Sequence, residues 1–184
     1  MVLSDNTIQT LIESPRSDLS IDPYLQQNVE PASVDLRLSD SFANIDTVVS
    51  SDGVIDTATD NSVTYNHFTT DSIVLEPGST VLGSTIEQIT LPDNISARVV
   101  GRSSLGRLFV EVHKTAGFCD PGFSGDITLE IGNDSEHPVR LHAGHRICQI
   151  VFERLDRPAD RPYGHAGSQY QDQDGATKSG MNFE

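Results

Sequence analysis

After Pro31 the chain changes character. Apolar residues recur at every second position in short runs, SVDLRL, SIVL, TVLGSTIEQITL, ARVV, FVEV, DITLEI and RICQIVFERL, with another alternating run around Tyr65. Period two puts successive side chains on opposite faces, so each run reads as a strand with one face for a core. Turn signals part the runs: Glu76-Pro77-Gly78, Pro92-Asp93-Asn94, Asp120-Pro121-Gly122 and Ser124-Gly125. At 184 residues the chain has the size of one domain, and short strands with Gly/Pro punctuation make that domain all-β, a barrel or a sandwich.

Three segments depart from this pattern. Ser4 to Glu13 reads as a short helix, with Ser4 or Asp5 as its cap and Ile8, Leu11 and Ile12 as its apolar stripe. Asp40–Asn66 is acidic and rich in Ser and Thr, and is expected to be a surface excursion. From Arg157 the apolar residues thin out, and YGHAGSQYQDQDGATKSGMNFE has no periodicity. Composition makes this tail a candidate for disorder. Its Tyr163, Tyr170 and repeated glutamines instead suit a lid over a polar ligand. The expected organisation is a β domain over 1–156, including the helix, and a lid or tail over 157–184.

The chain carries 12 basic and 27 acidic residues, a formal net charge of −15, and its only lysines are Lys114 and Lys178. Such a surface repels a phosphate backbone, which argues against nucleic-acid binding. It also fits adaptation to high salt, where screening relieves self-repulsion. No apolar run is long enough to span a bilayer, and MVLSDNTIQTLIES lacks the features of a signal peptide. Cys119 and Cys148 lie far apart without a C-x-x-C, which fits a reducing cytoplasm.

Most common catalytic schemes are absent. Zinc deaminases carry an H-x-E…P-C-x-x-C signature, and neither half occurs here. His142 and His145 form an H-x-x-H, but in RLHAGHRI it reads as a polar turn, and no third ligand has zinc spacing. There is no G-x-S-x-G, Walker loop or G-x-G-x-x-G.

Two features remain. GRSSLGR, Gly101–Arg107, gathers two serines and two arginines in seven residues. If Ser103 opens a helical turn, its free N–H groups and the two guanidiniums would favour a phosphate; the plainer reading is a capped surface turn. The second feature is Glu130 in the strand Ile127–Ile131, on the face opposite Ile127, Leu129 and Ile131. It is either a solvated carboxylate, as most strand glutamates are, or a proton-transfer group fixed on rigid scaffold.

GRSSLGRLFVEVHKTAGFCDPGFSGDITLEIGN resembles the central motif block of the dCTP deaminase branch of the dUTPase-like superfamily. VEPASVDLRL is similar to that branch's N-terminal motif, LEPGSTVLGSTIEQITLPDNI to its middle strands, and RPYGHAGSQYQDQDG to its C-terminal lid. The resemblance runs in order over nearly the whole chain and is weakest in Asp40–Asn66. It implies a distorted dUTPase-like β-barrel, a homotrimer, and active sites shared between subunits. By the same resemblance Arg102, Ser103, Ser104, Leu105, Gly106 and Arg107 would hold the triphosphate and line the pocket. Asp120 would sit at the deoxyribose, and Thr128 and Leu129 would meet the base. Gln149, Tyr163 and Gln173 would contribute from later motifs, and Glu130 would be the catalytic carboxylate.

That role for Glu130 is chemically consistent. Deaminating cytosine needs water at C4, a proton on the ring nitrogen and a protonated leaving amine, so without a metal one carboxylate must take the proton and pass it on. A closed pocket around it favours such work. Family members differ in product: some release dUTP, and others also cleave between the α and β phosphates to release dUMP. Ala116-Gly117-Phe118 after Thr115 is similar to the dUMP-forming type, where small residues leave room for a second water that Asp120 could orient. The alternative is that Gly117 only supplies a backbone angle before the next turn.

Gln169 stands where the family's lid usually has a lysine. Mg²⁺ carried by the triphosphate would offset the lost charge, held by phosphate oxygens and water, with no zinc, no organic cofactor and no dedicated protein metal site expected. The expected ligand is dCTP, and the resemblance admits dTTP as an inhibitor. The competing readings are a deaminase that stops at dUTP and, from another class, a non-catalytic deoxynucleotide-binding regulator.

Overall fold

In the computed structural model, which describes residues 1–57, 63–165 and 168–180, every alternating run contains a strand. In chain order the elements are α1 (Asp5–Glu13), β1 (Ser20–Asp22), β2 (Val29–Glu30), β3 (Ser33–Val48), β4 (Val63–Thr69), β5 (Ser72–Leu75), β6 (Thr80–Thr90) and β7 (Ile95–Gly101). Then follow α2 (Ser103–Gly106), β8 (Val110–Glu111), β9 (Phe118–Cys119), β10 (Ser124–Asn133), β11 (Val139–His142) and β12 (Arg146–Arg154).

Ten strands form one sheet in the order β8-β10-β6-β3-β12-β7-β9, with β1 on β6 and both β2 and β4 on β3; β5 and β11 pair separately. The sheet curls into a half-barrel, the form that the expected distorted barrel takes. β3 joins its two halves. Val34 to Arg37 pair with β12, Leu38 to Ala43 with β6, and Ser41 to Val48 with β4. A register shift between Leu38 and Phe42 lies within the pairing with β6, close to where β4 joins at Ser41, as bulges do at barrel corners.

The alternating faces supply the core: Val34, Leu36 and Leu38 on β3, Leu129 and Ile131 on β10, and Ile150 and Phe152 on β12 are all buried. Each such side chain contributes about 2 kcal/mol by leaving water. A Cβ at Gly83 would stand 3.0 Å from Ile131 Cδ1 and 3.2 Å from Leu38 Cδ1, so this position of β6 admits no side chain without repacking.

Asp40–Asn66 is less of a surface excursion than its composition predicts. Phe42 and Ala43 are fully buried, and Phe42 stacks on Phe68 at 5.8 Å between ring centroids. The rest of the arm's described residues are exposed or half-buried. Residues 58–62 of that stretch lie outside the described residues.

The N-terminal helix forms as expected, with Ile8 fully buried and Leu11 and Ile12 packed against the core. Its cap differs. Ser4 holds the N-cap position without a side-chain cap bond, and the Asp5 carboxylate accepts only its neighbour Asn6 N–H at 2.7 Å. Asp5 N–H is instead satisfied by the Pro31 carbonyl at 3.0 Å, a tertiary contact. No helix among the described residues is long and apolar enough to cross a membrane.

Candidate active site

Glu130 is half-buried on β10 and lines a cavity of about 630 Å³ together with Thr128. Its Oε2 accepts the main-chain N–H of Lys114 at 3.0 Å. No hydrogen bond uses Oε1 among the described residues. The Lys114 ammonium is itself held, hydrogen-bonded to Glu111 and 3.6 Å from Asp134. It lies over Gly132, where a Cβ would come within 2.6 Å of Lys114 Nζ. The alternation read from the sequence holds for Leu129 and Ile131. Ile127, beside a register shift between β10 and β6, is buried yet also forms part of the cavity wall.

The segment into β9 supplies the next wall. Ala116, Phe118 and Asp120 line the cavity, and the Arg98 guanidinium lies 5.7 Å from the Phe118 ring centroid. Gly117 does not serve as a backbone-angle residue, because it is not among the positive-φ glycines. Its carbonyl accepts Val99 N–H at 2.7 Å, and a Cβ would meet the Val99 carbonyl at 2.9 Å and His113 Nε2 at 3.1 Å. Close packing demands the glycine. Cys119 also reaches the cavity, but burial, with the Asp120 charge adding, pushes its thiol up to about 12, so it is no nucleophile.

The tail forms the remaining wall. Its described residues dock on β10 rather than remaining detached. Asp172 N–H donates to the Ser124 carbonyl at 2.8 Å, Asp126 N–H to the Gln173 carbonyl at 3.0 Å, and Gly175 N–H to Asp126 Oδ2 at 2.9 Å. Thr177 N–H donates to Thr128 Oγ1 at 3.2 Å, and Ala176 is buried. Two glycines allow the close approach: a Cβ at Gly122 would stand 2.5 Å from the Tyr163 carbonyl, and one at Gly125 2.9 Å from Gln173 N, both at positive φ. Tyr163, Tyr170 and Gln173 thereby line the Glu130 cavity. Residues 166, 167 and 181–184 of the tail lie outside the described residues.

Other residues singled out in the sequence lie elsewhere. Leu129 is fully buried, so its side chain cannot meet a base from this cavity; strand alternation turns it into the core as it turns Thr128 outward. None of Arg102, Ser103, Ser104, Leu105, Gly106 and Arg107 lines the cavity. Ser103, Ser104, Gly106 and Arg107 are exposed on and beside α2, and Leu105 packs against the core. Gln149 is half-buried on β12, paired with Asp35 and Val100. Arg102 lines a second cavity of about 670 Å³ with Arg37 and Arg146. The expected site residues therefore form two groups, one around Glu130 and one around Arg102 and Gln149.

Among the described residues no three His, Cys, Asp or Glu side chains cluster as metal ligands. The His142 and His145 rings lie 5.2 Å apart in an exposed turn.

The dCTP deaminase-like family model matches residues 2–155. The chain belongs to this family. A relative in Dictyoglomus turgidum named "dCTP deaminase, dUMP-forming" is 44% identical, over 100% of this chain and 96% of its own length. One of the same name in Halobacterium salinarum is 46% identical over 97% of this chain and 94% of its own, and a Halorubrum lacusprofundi relative at 43% identity is named "dCTP deaminase". The crystal structure of 2'-deoxycytidine 5'-triphosphate deaminase from Agrobacterium tumefaciens superposes with a TM-score of 0.61 at 26% identity, over 83% of this chain. This chain spans 47% of that one's length.

The family match ends at residue 155, yet the docked tail completes the Glu130 cavity, and it brings a residue the sequence reading missed. Lys178 is the single cation among the cavity's described lining residues. Its rarity was visible in the sequence, but without periodicity in the tail nothing indicated where it would lie. Tyr65, from the β3–β4 arm, was also missed: its run alternates, but nothing local showed that the arm reaches this cavity.

Proposed function

We propose that this protein deaminates dCTP at C4 and then hydrolyses the resulting dUTP, in the same site, to dUMP and diphosphate. One observation carries the reading: Glu130 stands on a strand in a cavity wall, with one carboxylate oxygen held by Lys114 N–H and the other unused by the described residues. Such a group can take one proton from water attacking C4 and deliver it to the ring nitrogen. It can then take the second from the new C4 hydroxyl and deliver it to the amine, so that the C4–N bond breaks, the C4 carbonyl forms and ammonia leaves. Thr128, Tyr163 and Gln173 surround the base, and Asp120 accepts the 3′-hydroxyl of the deoxyribose. The tail acts as a lid that excludes water.

For the second step, a water attacks the α phosphorus beside Ala116 and Phe118, and Asp120 orients it. The residues at 116–118 support this product, as do the names of the Dictyoglomus and Halobacterium relatives. Mg²⁺ enters with the nucleotide, and Lys178 adds the cation that Gln169 does not.

Ser103–Arg107 serve the triphosphate, and their distance from the lining of the Glu130 cavity supports sites shared between subunits of a homotrimer, one subunit giving the Glu130 group and its neighbour the Arg102 and Gln149 group. A cytoplasmic setting, with its nucleotide pool and reduced thiols, fits the two buried free cysteines. dTTP would compete for the same pocket.

The test is the product of incubating the protein with dCTP, Mg²⁺ and high KCl, resolved by ion exchange beside Glu130→Gln. Release of dUMP and diphosphate, reduced by at least about a hundredfold in the variant, is the expected result. dUTP alone would keep the deaminase and reject the second step. Tight dCTP binding without turnover in either protein would favour a regulator. Light scattering that reports a monomer at micromolar concentration would remove the shared site.

A further inference from the structure

The N-terminal motif VEPASVDLRL contains three charged residues, Glu30, Asp35 and Arg37, and the deamination scheme gives none of them a task. Arg37 is accounted for within the fold. Its N–H and Nε bind the two oxygens of the buried Glu87 at 2.8 and 2.7 Å, which neutralises it in place. Asp35 does something different. It is wholly buried on β3, and its Oδ2 accepts from Arg146 Nη1 at 3.0 Å and forms an ion pair with Arg102, Nη2 at 3.2 Å. Its Oδ1 is buried with no hydrogen-bond partner among the described residues. An unsatisfied buried oxygen of that kind calls for an explanation beyond packing.

Arg102 also donates a hydrogen bond, Nη1 to the Arg146 carbonyl at 3.3 Å. A guanidinium whose fork is turned onto a buried carboxylate and a main-chain carbonyl acts as a tether. The tether is tied to α2, because the Arg102 carbonyl accepts both Leu105 and Gly106 N–H at 3.0 Å. Little else fixes this turn. Ser103, Ser104 and Arg107 are exposed, and their side chains make no hydrogen bond among the described residues; only Leu105 packs against the core.

We propose that Asp35 is a positioning residue for the triphosphate half of the site: through Arg102 it fixes Ser103–Arg107 where the phosphates dock, leaving Arg107 as the cation that meets them. This rests on the reading of Ser103–Arg107 as phosphate-binding. Asp35 lies beside Gln149 in the β3–β12 register, so one buried carboxylate organises the whole second group of site residues.

The test compares wild type with Asp35→Asn, Arg102→Met, the double variant and Arg107→Gln. The readouts are KM and kcat for dCTP, inhibition by dCMP, which lacks the outer phosphates, and amide hydrogen exchange over residues 105–109 without nucleotide. Asp35→Asn is expected to raise KM for dCTP about tenfold, the size of one charge-assisted hydrogen bond, with kcat within about twofold. Inhibition by dCMP is expected to stay as in wild type, exchange over 105–109 to accelerate, and the double variant to be no worse than either single one. A wild-type KM in Asp35→Asn overturns the proposal. So does equal weakening of dCTP and dCMP without faster exchange, which is the mark of a merely structural carboxylate. If Asp35→Asn does not fold, unchanged exchange in Arg102→Met overturns it. An unchanged KM in Arg107→Gln instead sinks the phosphate reading of the segment, even where the tether variants exchange faster.

Discussion

Lys114 holds Glu130 by its main chain, N–H to Oε2 at 3.0 Å, while its own ammonium grips Glu111 and Asp134 across Gly132. The carboxylate is therefore aimed by a backbone group whose position depends on a side chain pointing the other way. Replacing Lys114 by Met releases that grip and leaves Glu130 chemically intact. The expected outcome is a fall in kcat of about tenfold with KM little changed, since small misplacements of a reacting group are costly. Stability should move by less than about 1 kcal/mol, because the ion pairs are partly exposed. Steady-state kinetics beside thermal denaturation separates the two effects, and an unchanged kcat would refute the aiming role.

Asp126 ties the tail to β10 through Gly175 N–H. Burial pushes its carboxyl above the ordinary range and Asp174 adds to this, against the opposing hydrogen bonds from Gly175 and Gln88. A raised value means that the folded state favours the protonated form. The contribution to stability is then full below the usual aspartate pKa, about 3.9, and is lost as pH rises through the folded value. At neutral pH the ionised Asp126 is a cost. Asp126→Asn, which can still accept from Gly175, is expected to melt no lower than wild type at pH 7, with any gain shrinking towards pH 4. Melting curves of both proteins across that range check the sign, and a gain that grows on acidification contradicts it.

Gly117 has no room for a methyl group between the Val99 carbonyl and His113. Gly117→Ala is expected to destabilise by about 1–3 kcal/mol, as overpacking does. Urea unfolding measures it, and a change within experimental scatter would mean that the segment yields freely.

Lys178 is the cation of the Glu130 cavity. Lys178→Met is expected to raise KM for dCTP roughly fivefold to tenfold, about one lost charge-assisted hydrogen bond, with less effect on dCMP. Equal effects on both ligands would show that Lys178 does not meet the outer phosphates.

The formal charge of −15 predicts self-repulsion in dilute buffer. Melting temperature is expected to rise with KCl up to molar concentrations and to gain less from uncharged osmolytes. Full stability without salt would remove the case for adaptation to high salt.

The strands, the N-terminal helix and the turns were legible in the sequence because they are written in local terms: period-two alternation, a short apolar stripe, and Gly/Pro punctuation. Glu130 was legible for the same reason, since its neighbours on β10 show which face it takes. The N-cap position of α1, Ser4, was legible too, but its hydrogen bonding was not, because Asp5 N–H is satisfied by Pro31, a contact made across the fold. Phe42 and Ala43 were hidden by the acidic, Ser/Thr-rich residues around them, and pairing with β6 and β4 draws them into the core.

By itself, the sequence determined an all-β domain with a polar tail, a carboxylate on a rigid strand and a separate Ser/Arg turn. The tertiary structure decided which of these meet. It brought the tail onto β10, put Lys178 in the cavity wall, and tied Arg102 to Asp35 instead of leaving its guanidinium open. The reason is physical. Strand and turn preferences act over a few neighbouring residues, whereas the site is held by hydrogen bonds and ion pairs between residues tens of positions apart, whose partners exist only once the sheet has curled.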